Sequence, residues 1–243
     1  MCHNSDIVHH SIGKTRKHIY RPNVGKKLAS FTLAEVLITL GIIGIVAALT
    51  IPAFVQNTKK EQASARIKKF ISVINQALIS AEAEYGPKEN WERGEMETSK
   101  AAHDFLSTYI SPYIKSLGIE DRKLFGKEMA TIRFVDGSQM SVKIGSCYDI
   151  YYDINGEKKP NELGRDMYAF ILCRTKDGCN LNSNHMEPYY CAQAGYPYPT
   201  KEELMNNCKE APRNPDDNYN GQYCSKLLEL NQYNFPKDYP KRL

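Results

Sequence analysis

Catalytic signatures are what this chain of 243 residues lacks. It has no Gly-x-Ser-x-Gly elbow, no Gly-x-x-x-x-Gly-Lys phosphate loop and no His-Glu-x-x-His helix, so the commonest hydrolase, nucleotide and metalloprotease sites are excluded. Histidine is scarce. Of the six, His3, His9, His10 and His18 crowd the start of the chain, and only His103 and His185 lie beyond them. General-base chemistry would then fall on carboxylates that show no special pairing in the sequence. No two cysteines stand at the C-x-x-C spacing of zinc sites, which argues against a structural metal. Internal repeats and low-complexity tracts are missing as well. The chain is not expected to be an enzyme.

Charge is missing in one particular place. Phe31 to Val55 reads FTLAEVLITLGIIGIVAALTIPAFV, and Glu35 is its one charged residue. A helix of about 20 apolar residues crosses a bilayer, so this run is long enough to span one. A carboxylate inside such a span is costly and marks a functional partner. Two plainer readings are a secretory signal peptide and an ordinary membrane anchor. The run is too long for the apolar core of a signal peptide, and Ile51-Pro52-Ala53-Phe54 is a poor cleavage site. A plain anchor has no need of Glu35.

Ser30-Phe31-Thr32-Leu33-Ala34-Glu35 resembles the cleavage and methylation signal of type IV prepilins and type II secretion pseudopilins. The resemblance covers roughly residues 26–58. It implies that a prepilin peptidase cuts between Ser30 and Phe31 and methylates the new Phe31 amine, leaving Glu35 at the fifth mature position. The family most often carries Gly where this chain has Ser30. Pro52 falls where many such subunits bend the helix, and Gly41 and Gly44 fit the small residues of that segment. The implied partners are the peptidase, other pilin or pseudopilin subunits, an inner-membrane assembly platform and membrane lipid. The resemblance implies no nucleic acid partner.

Composition splits at the same place. Removing residues 1–30 takes 32 basic and 28 acidic residues to 26 and 27, and the formal charge from +4 to −1. The basic isoelectric point therefore belongs to the leader. This is the charge bias that keeps a leader cytoplasmic and sends the remainder across a membrane, and it is no argument for nucleic acid. The expected location is a single-pass inner membrane protein with its head outside the cytoplasm, and a surface or periplasmic filament after assembly. Cys2 lies in the leader. The other six, Cys147, Cys173, Cys179, Cys191, Cys208 and Cys224, form an even set in an exported chain and read as disulfides, with 15 pairings open.

Beyond the apolar run, Ile67, Phe70, Ile71, Ile74, Leu78, Ala81 and Tyr85 recur at helical spacing, and Gly86-Pro87 ends the pattern. Residues 31–55 are expected to form a membrane or filament-core helix, 56–86 its amphipathic continuation, and 87–243 a globular head. In the head, residues 100–117 have a helical pattern interrupted at Pro112. Residues 131–135 and 139–144 alternate around Asp136-Gly137, a hairpin signal. Residues 148–154 and 168–173 are further strands, and residues 234–240 are expected to return to the sheet as a strand. The expected fold class is α+β and pilin-like: a long N-terminal helix, transmembrane in its first half, packed on a small antiparallel sheet with a disulfide-rich C-terminal loop region.

Two head segments carry candidate chemistry. Asp153, Asn155 and Asp166 flank Gly156 and offer hard oxygen ligands for calcium. The same residues also suit an Asn-Gly turn with capping carboxylates, and apart from this calcium site no cofactor is expected. Tyr189, Tyr190, Tyr196, Tyr198, Tyr219 and Tyr223 lie in the cysteine-rich stretch, as a binding surface or as filling where the core is thin. A structural filament subunit is therefore the first expectation. A minor or tip subunit that recognises sugar, DNA or protein through the Tyr-rich loop is the alternative.

Overall fold

A computed structural model describes residues 31–175, 185–190, 199–209 and 221–243. The chain divides into two units, Met1–Ala47 and Ala48–Leu243, and helix α1 (Leu33–Tyr85) takes residues from both.

In the first unit, α1 opens with a reciprocal cap. Thr32 Oγ1 accepts a hydrogen bond from the Glu35 backbone N–H at 3.2 Å, and Glu35 Oε2 accepts from the Thr32 N–H at 2.8 Å. Thr-x-x-Glu thus satisfies two of the donors that a helix start leaves unpaired. Every residue from Phe31 to Val46 is exposed.

In the second unit, α1 stays exposed through Val55 and then becomes one-sided. Ala63, Ile67, Phe70, Ile74, Leu78 and Ala81 are buried, at the three- and four-residue steps of one helix face. Gly86, at φ 79°, follows the last turn in the left-handed conformation that favours glycine.

The buried face of α1 packs on a six-stranded antiparallel sheet whose spatial order follows the chain, β1 (Ser116–Leu124), β2 (Lys127–Phe134), β3 (Gln139–Ile144), β4 (Tyr148–Asp153), β5 (Met167–Leu172) and β6 (Glu187–Pro188). The α+β class is as expected. Alternation on β4 sets the layers. Tyr148, Ile150 and Tyr152 join the helix-side core, while Tyr151 joins Leu124, Met129, Leu163 and Met167 in a second cluster. Phe70 stacks on Tyr152 with centroids 3.9 Å apart and planes 9° apart. Phe105 and Tyr148 stack at 4.1 Å. Each such ring removed from water contributes about 1.5–3 kcal/mol.

The hairpin at Asp136-Gly137 forms. The Phe134 N–H donates to the Ser138 carbonyl at 2.9 Å and the Gly137 N–H to the Phe134 carbonyl at 3.0 Å, Gly137 has φ 83°, and Asp136 Oδ1 accepts from Ser138 Oγ at 2.6 Å. Three other expectations need correction. The helical pattern over residues 100–117 breaks into α2 (Ser99–Phe105), a π-helical turn (Leu106–Ile110) and a 3-10 turn (Ser111–Tyr113) ahead of β1. Strand β1 carries Glu120, Asp121, Arg122 and Lys123 in a row, so it shows no alternation; it is an edge, where charge blocks further pairing. Its turn to β2 uses Phe125 and Gly126, both at positive φ, without the usual Asn or Asp. The segment after Pro236 is not a strand but a series of turns: Gln232 and Tyr233 have positive φ, and Pro236 and Pro240 lack the N–H a ladder needs. It packs by side chains, with Tyr239 buried and its hydroxyl donating to the Gly164 carbonyl at 2.6 Å. Finally, the C-terminal region expected as loop contains α3 (Lys201–Lys209) and α4 (Cys224–Glu229). Thr200 and Glu203 cap α3 just as Thr32 and Glu35 cap α1.

Candidate assembly segment and head loops

The apolar segment contains the first group of candidate residues. Its most apolar 18-residue window has mean hydropathy 2.4 with none of it buried, so the helix is long and apolar enough to cross a membrane. Leu37, Ile38, Leu40, Ile43, Val46 and Leu49 are all more than half exposed and together go round the helix axis. A soluble helix would hide one of those faces; this one offers apolar surface all round. Phe31 is 85% exposed beside the Thr32–Glu35 cap. Ser30 lies outside the described residues. Glu35 accepts from both the Thr32 N–H and hydroxyl, each at 2.8 Å, which fixes the carboxylate at the first turn of α1. Sequence reading found Phe31 and Glu35 but not Thr32; the Thr-x-x-Glu spacing was the available signal.

The second group is the loop between β4 and β5. Asp153, Asn155 and Asp166 come together, but the carboxylate oxygens of Asp153 and Asp166 are taken up by protein donors. Asp153 is 1% exposed; its Oδ2 accepts from Arg122 Nη1 at 3.0 Å and its Oδ1 from the Asn155 N–H at 3.2 Å. Asp166 accepts from the Asn161 N–H (3.0 Å), the Glu162 N–H (2.6 Å) and Asn155 Nδ2 (3.2 Å). Among the described residues no group of three or more His, Cys, Asp or Glu side chains is placed to hold a metal ion. The hydrogen bonds describe a turn capped by carboxylates. Sequence reading missed Arg122, which lies on β1, a strand with no legible pattern. Arg122 also donates to Gln139 Oε1 at 2.7 Å, tying β1, β3 and β4 together. Burial pushes the Asp153 carboxyl up to about 6, against the pull of Arg122. Asp149 on β4 is likewise pushed up to about 6 by burial, with Lys143 Nζ 3.9 Å away opposing the shift and Glu97 adding to it.

The third group is the cysteines. Cys147–Cys173 closes the end of the β4–β5 pair, and Cys208–Cys224 joins α3 to α4. Cys179 and Cys191 lie outside the described residues. The Cys208–Cys224 bridge packs against Gly164, where a Cβ would lie 2.1 Å from Cys224 Sγ, so only glycine fits. Of the six tyrosines, Tyr196, Tyr198 and Tyr219 lie outside the described residues. Tyr189, Tyr190 and Tyr223 pack on one another, with the Tyr223 ring 6.4 Å and 5.8 Å from the other two. They fill the region over the sheet instead of standing out from it.

Residues 53–243 match a family described as of unknown function, DUF6613. No curated protein and no solved structure matches the chain. The chain belongs to the DUF6613 family, and the match takes in the one-sided half of α1 and the whole head.

Proposed function

We propose that this chain is a prepilin or pseudopilin: a membrane-held subunit that is cut before Phe31 and assembled into a filament of a type IV pilus or type II secretion system. The observation that carries this reading is the apolar half of α1, exposed on every side, with one carboxylate at its first turn and Ser30-Phe31 immediately before it. An apolar helix without a buried face is stable in lipid or among identical helices, and not in water. Cleavage before Phe31 frees an amine on the residue immediately before the Thr32–Glu35 cap. When the helix leaves lipid, Glu35 of one subunit pairs with the Phe31 amine of its neighbour. Each charge then offsets the other's desolvation, which neither does alone. The head stays outside the filament core. Its two described disulfides suit an oxidising compartment. The inward packing of Tyr189, Tyr190 and Tyr223 supports a structural head over a tip subunit that binds through exposed rings.

The test is the mature N-terminus. The full chain is co-expressed with a prepilin peptidase, extracted from membranes and measured by intact mass and N-terminal sequencing. N-methylated Phe31 is the expected first residue. A chain that still begins at Met1, or one cut after Ala53, overturns the reading.

A further inference from the structure

Beside the end of the apolar segment, the second unit holds a strongly cationic cavity of about 460 Å³. Lys59 and Arg66 line it from α1; Lys158, Lys159 and Arg165 line it from the β4–β5 loop. Against these five stand Asp136 and Asp166; Lys59 Nζ also reaches the Leu243 carbonyl at 3.5 Å, and Arg165 Nη1 lies 3.6 Å from Glu162 Oε2. Asp136 is held by Lys69 at 3.3 Å, and Asp166 accepts three N–H bonds from its own loop. Arg66 donates to the Ile154 carbonyl at 2.5 Å, which fixes its guanidinium at the wall. Lys158 and Lys159 are exposed. One further group points to a particular ligand. Asn155 Nδ2 is committed to Asp166, which leaves Asn155 Oδ1 buried in the cavity lining without a donor. A simple anion satisfies the cations but brings nothing to that oxygen. A ligand with both a phosphate and a hydroxyl satisfies both.

We infer that this cavity takes the headgroup of an anionic phosphoglycerol lipid, the phosphate held by Lys59, Lys158 and Lys159 and a glycerol hydroxyl donating to Asn155. The inference rests on the membrane reading above. Lys59 follows Val55 by four residues, about 6 Å along a helix, so the cavity lies at headgroup level when the apolar segment is in the bilayer. The site holds the head down on the membrane surface before the subunit is drawn into a filament.

The full chain in detergent is mixed with phosphatidylglycerol or phosphatidylcholine of the same acyl chains, and bound lipid is counted by native mass spectrometry. Phosphatidylglycerol is expected to be retained at least about tenfold better, since a basic residue near an anionic headgroup contributes about fivefold. Phosphatidic acid, which has phosphate but no glycerol hydroxyl, should fall between the two. Lys158→Glu with Lys159→Glu should bring the preference close to parity; neither side chain supports the fold. Lys100→Glu with Lys123→Glu, an equal charge change elsewhere on the head, should leave it intact. Equal retention of the two lipids, an equal loss in the control pair, or displacement of lipid by millimolar inorganic phosphate overturns the headgroup site. Flotation with phosphatidylcholine vesicles reads insertion alone. Its failure overturns the membrane reading, whereas intact flotation with no lipid preference overturns only this site.

Discussion

Helix α1 is two helices in chemical terms. From Phe31 to Val55 its apolar side chains face outward in every direction, and from Ala63 to Ala81 they form one stripe buried against a sheet. Both are α-helical, apart from the one N–H that Pro52 lacks in the first half. What differs is where stability comes from. The second half is held by the head: Ile67, Phe70, Ile74 and Leu78 are nearly fully buried, with the Phe70 ring against Phe134, Tyr152 and Phe170. The first half has no such contacts and takes its stability from surroundings the chain alone does not supply. Substitutions should therefore separate assembly from folding according to which half they fall in.

The largest effect is expected at Glu35. Glu35→Leu removes the one charge of the apolar half, so membrane insertion should persist while incorporation into sheared filaments is lost. Immunoblotting of membranes and of sheared fibres checks this; normal incorporation of the variant would remove the charge pair from the account. In the other half, Phe70→Ala should destabilise the head by about 3–5 kcal/mol, whereas Ile42→Ala should leave the melting temperature of the head unchanged. Equal effects of the two would erase the contrast between the halves.

Smaller effects sharpen the description of the head. Cys208→Ser with Cys224→Ser should cost about 2–4 kcal/mol, the value for a bridge closing a loop of this size. Thermal melting before and after reduction reads it. Asp149→Asn tests the partly buried carboxylate on β4. Its pKa is raised to about 6 in the folded protein from an ordinary 3.8. The folded state therefore binds the proton more tightly than the unfolded one, so this group's favourable contribution is present below pH 3.8 and is lost as pH rises through 6. The variant should be more stable than the wild type by about 1 kcal/mol at pH 8, once the lost Lys143 pairing is set against the desolvation relieved, and no more stable at pH 4. A gain that is the same at both pH values would put its cause elsewhere. The smallest expected effect is none: calcium and chelator should give one melting midpoint, because the oxygens of Asp153 and Asp166 already have protein donors. A rise with millimolar calcium that Asp153→Ala abolishes would restore the calcium loop.

Periodicity and turn chemistry made much of this molecule legible. The run from Phe31 to Val55, the stripe from Ile67 to Ala81, the stop at Gly86 and the hairpin at Asp136-Gly137 are local patterns, and each was read with its physical cause. Strand β1 was not legible, because an edge strand full of charge has no alternation and Phe125-Gly126 does not look like a turn. Helices α3 and α4 were hidden in a stretch whose Asn, Pro and Gly suggested loop.

The sequence by itself determined that one segment is built for an apolar environment, that its lone charge sits at the first turn, and that the remainder is an α+β head. Those properties follow from residues near one another in the chain. Only the tertiary structure decided that Cys147 meets Cys173 and Cys208 meets Cys224, that Arg122 faces Asp153, and that Lys59 and Arg66 stand across one cavity from Lys158, Lys159 and Arg165. These are meetings across many residues of chain, set by how the sheet closes on the helix, and no local pattern encodes them.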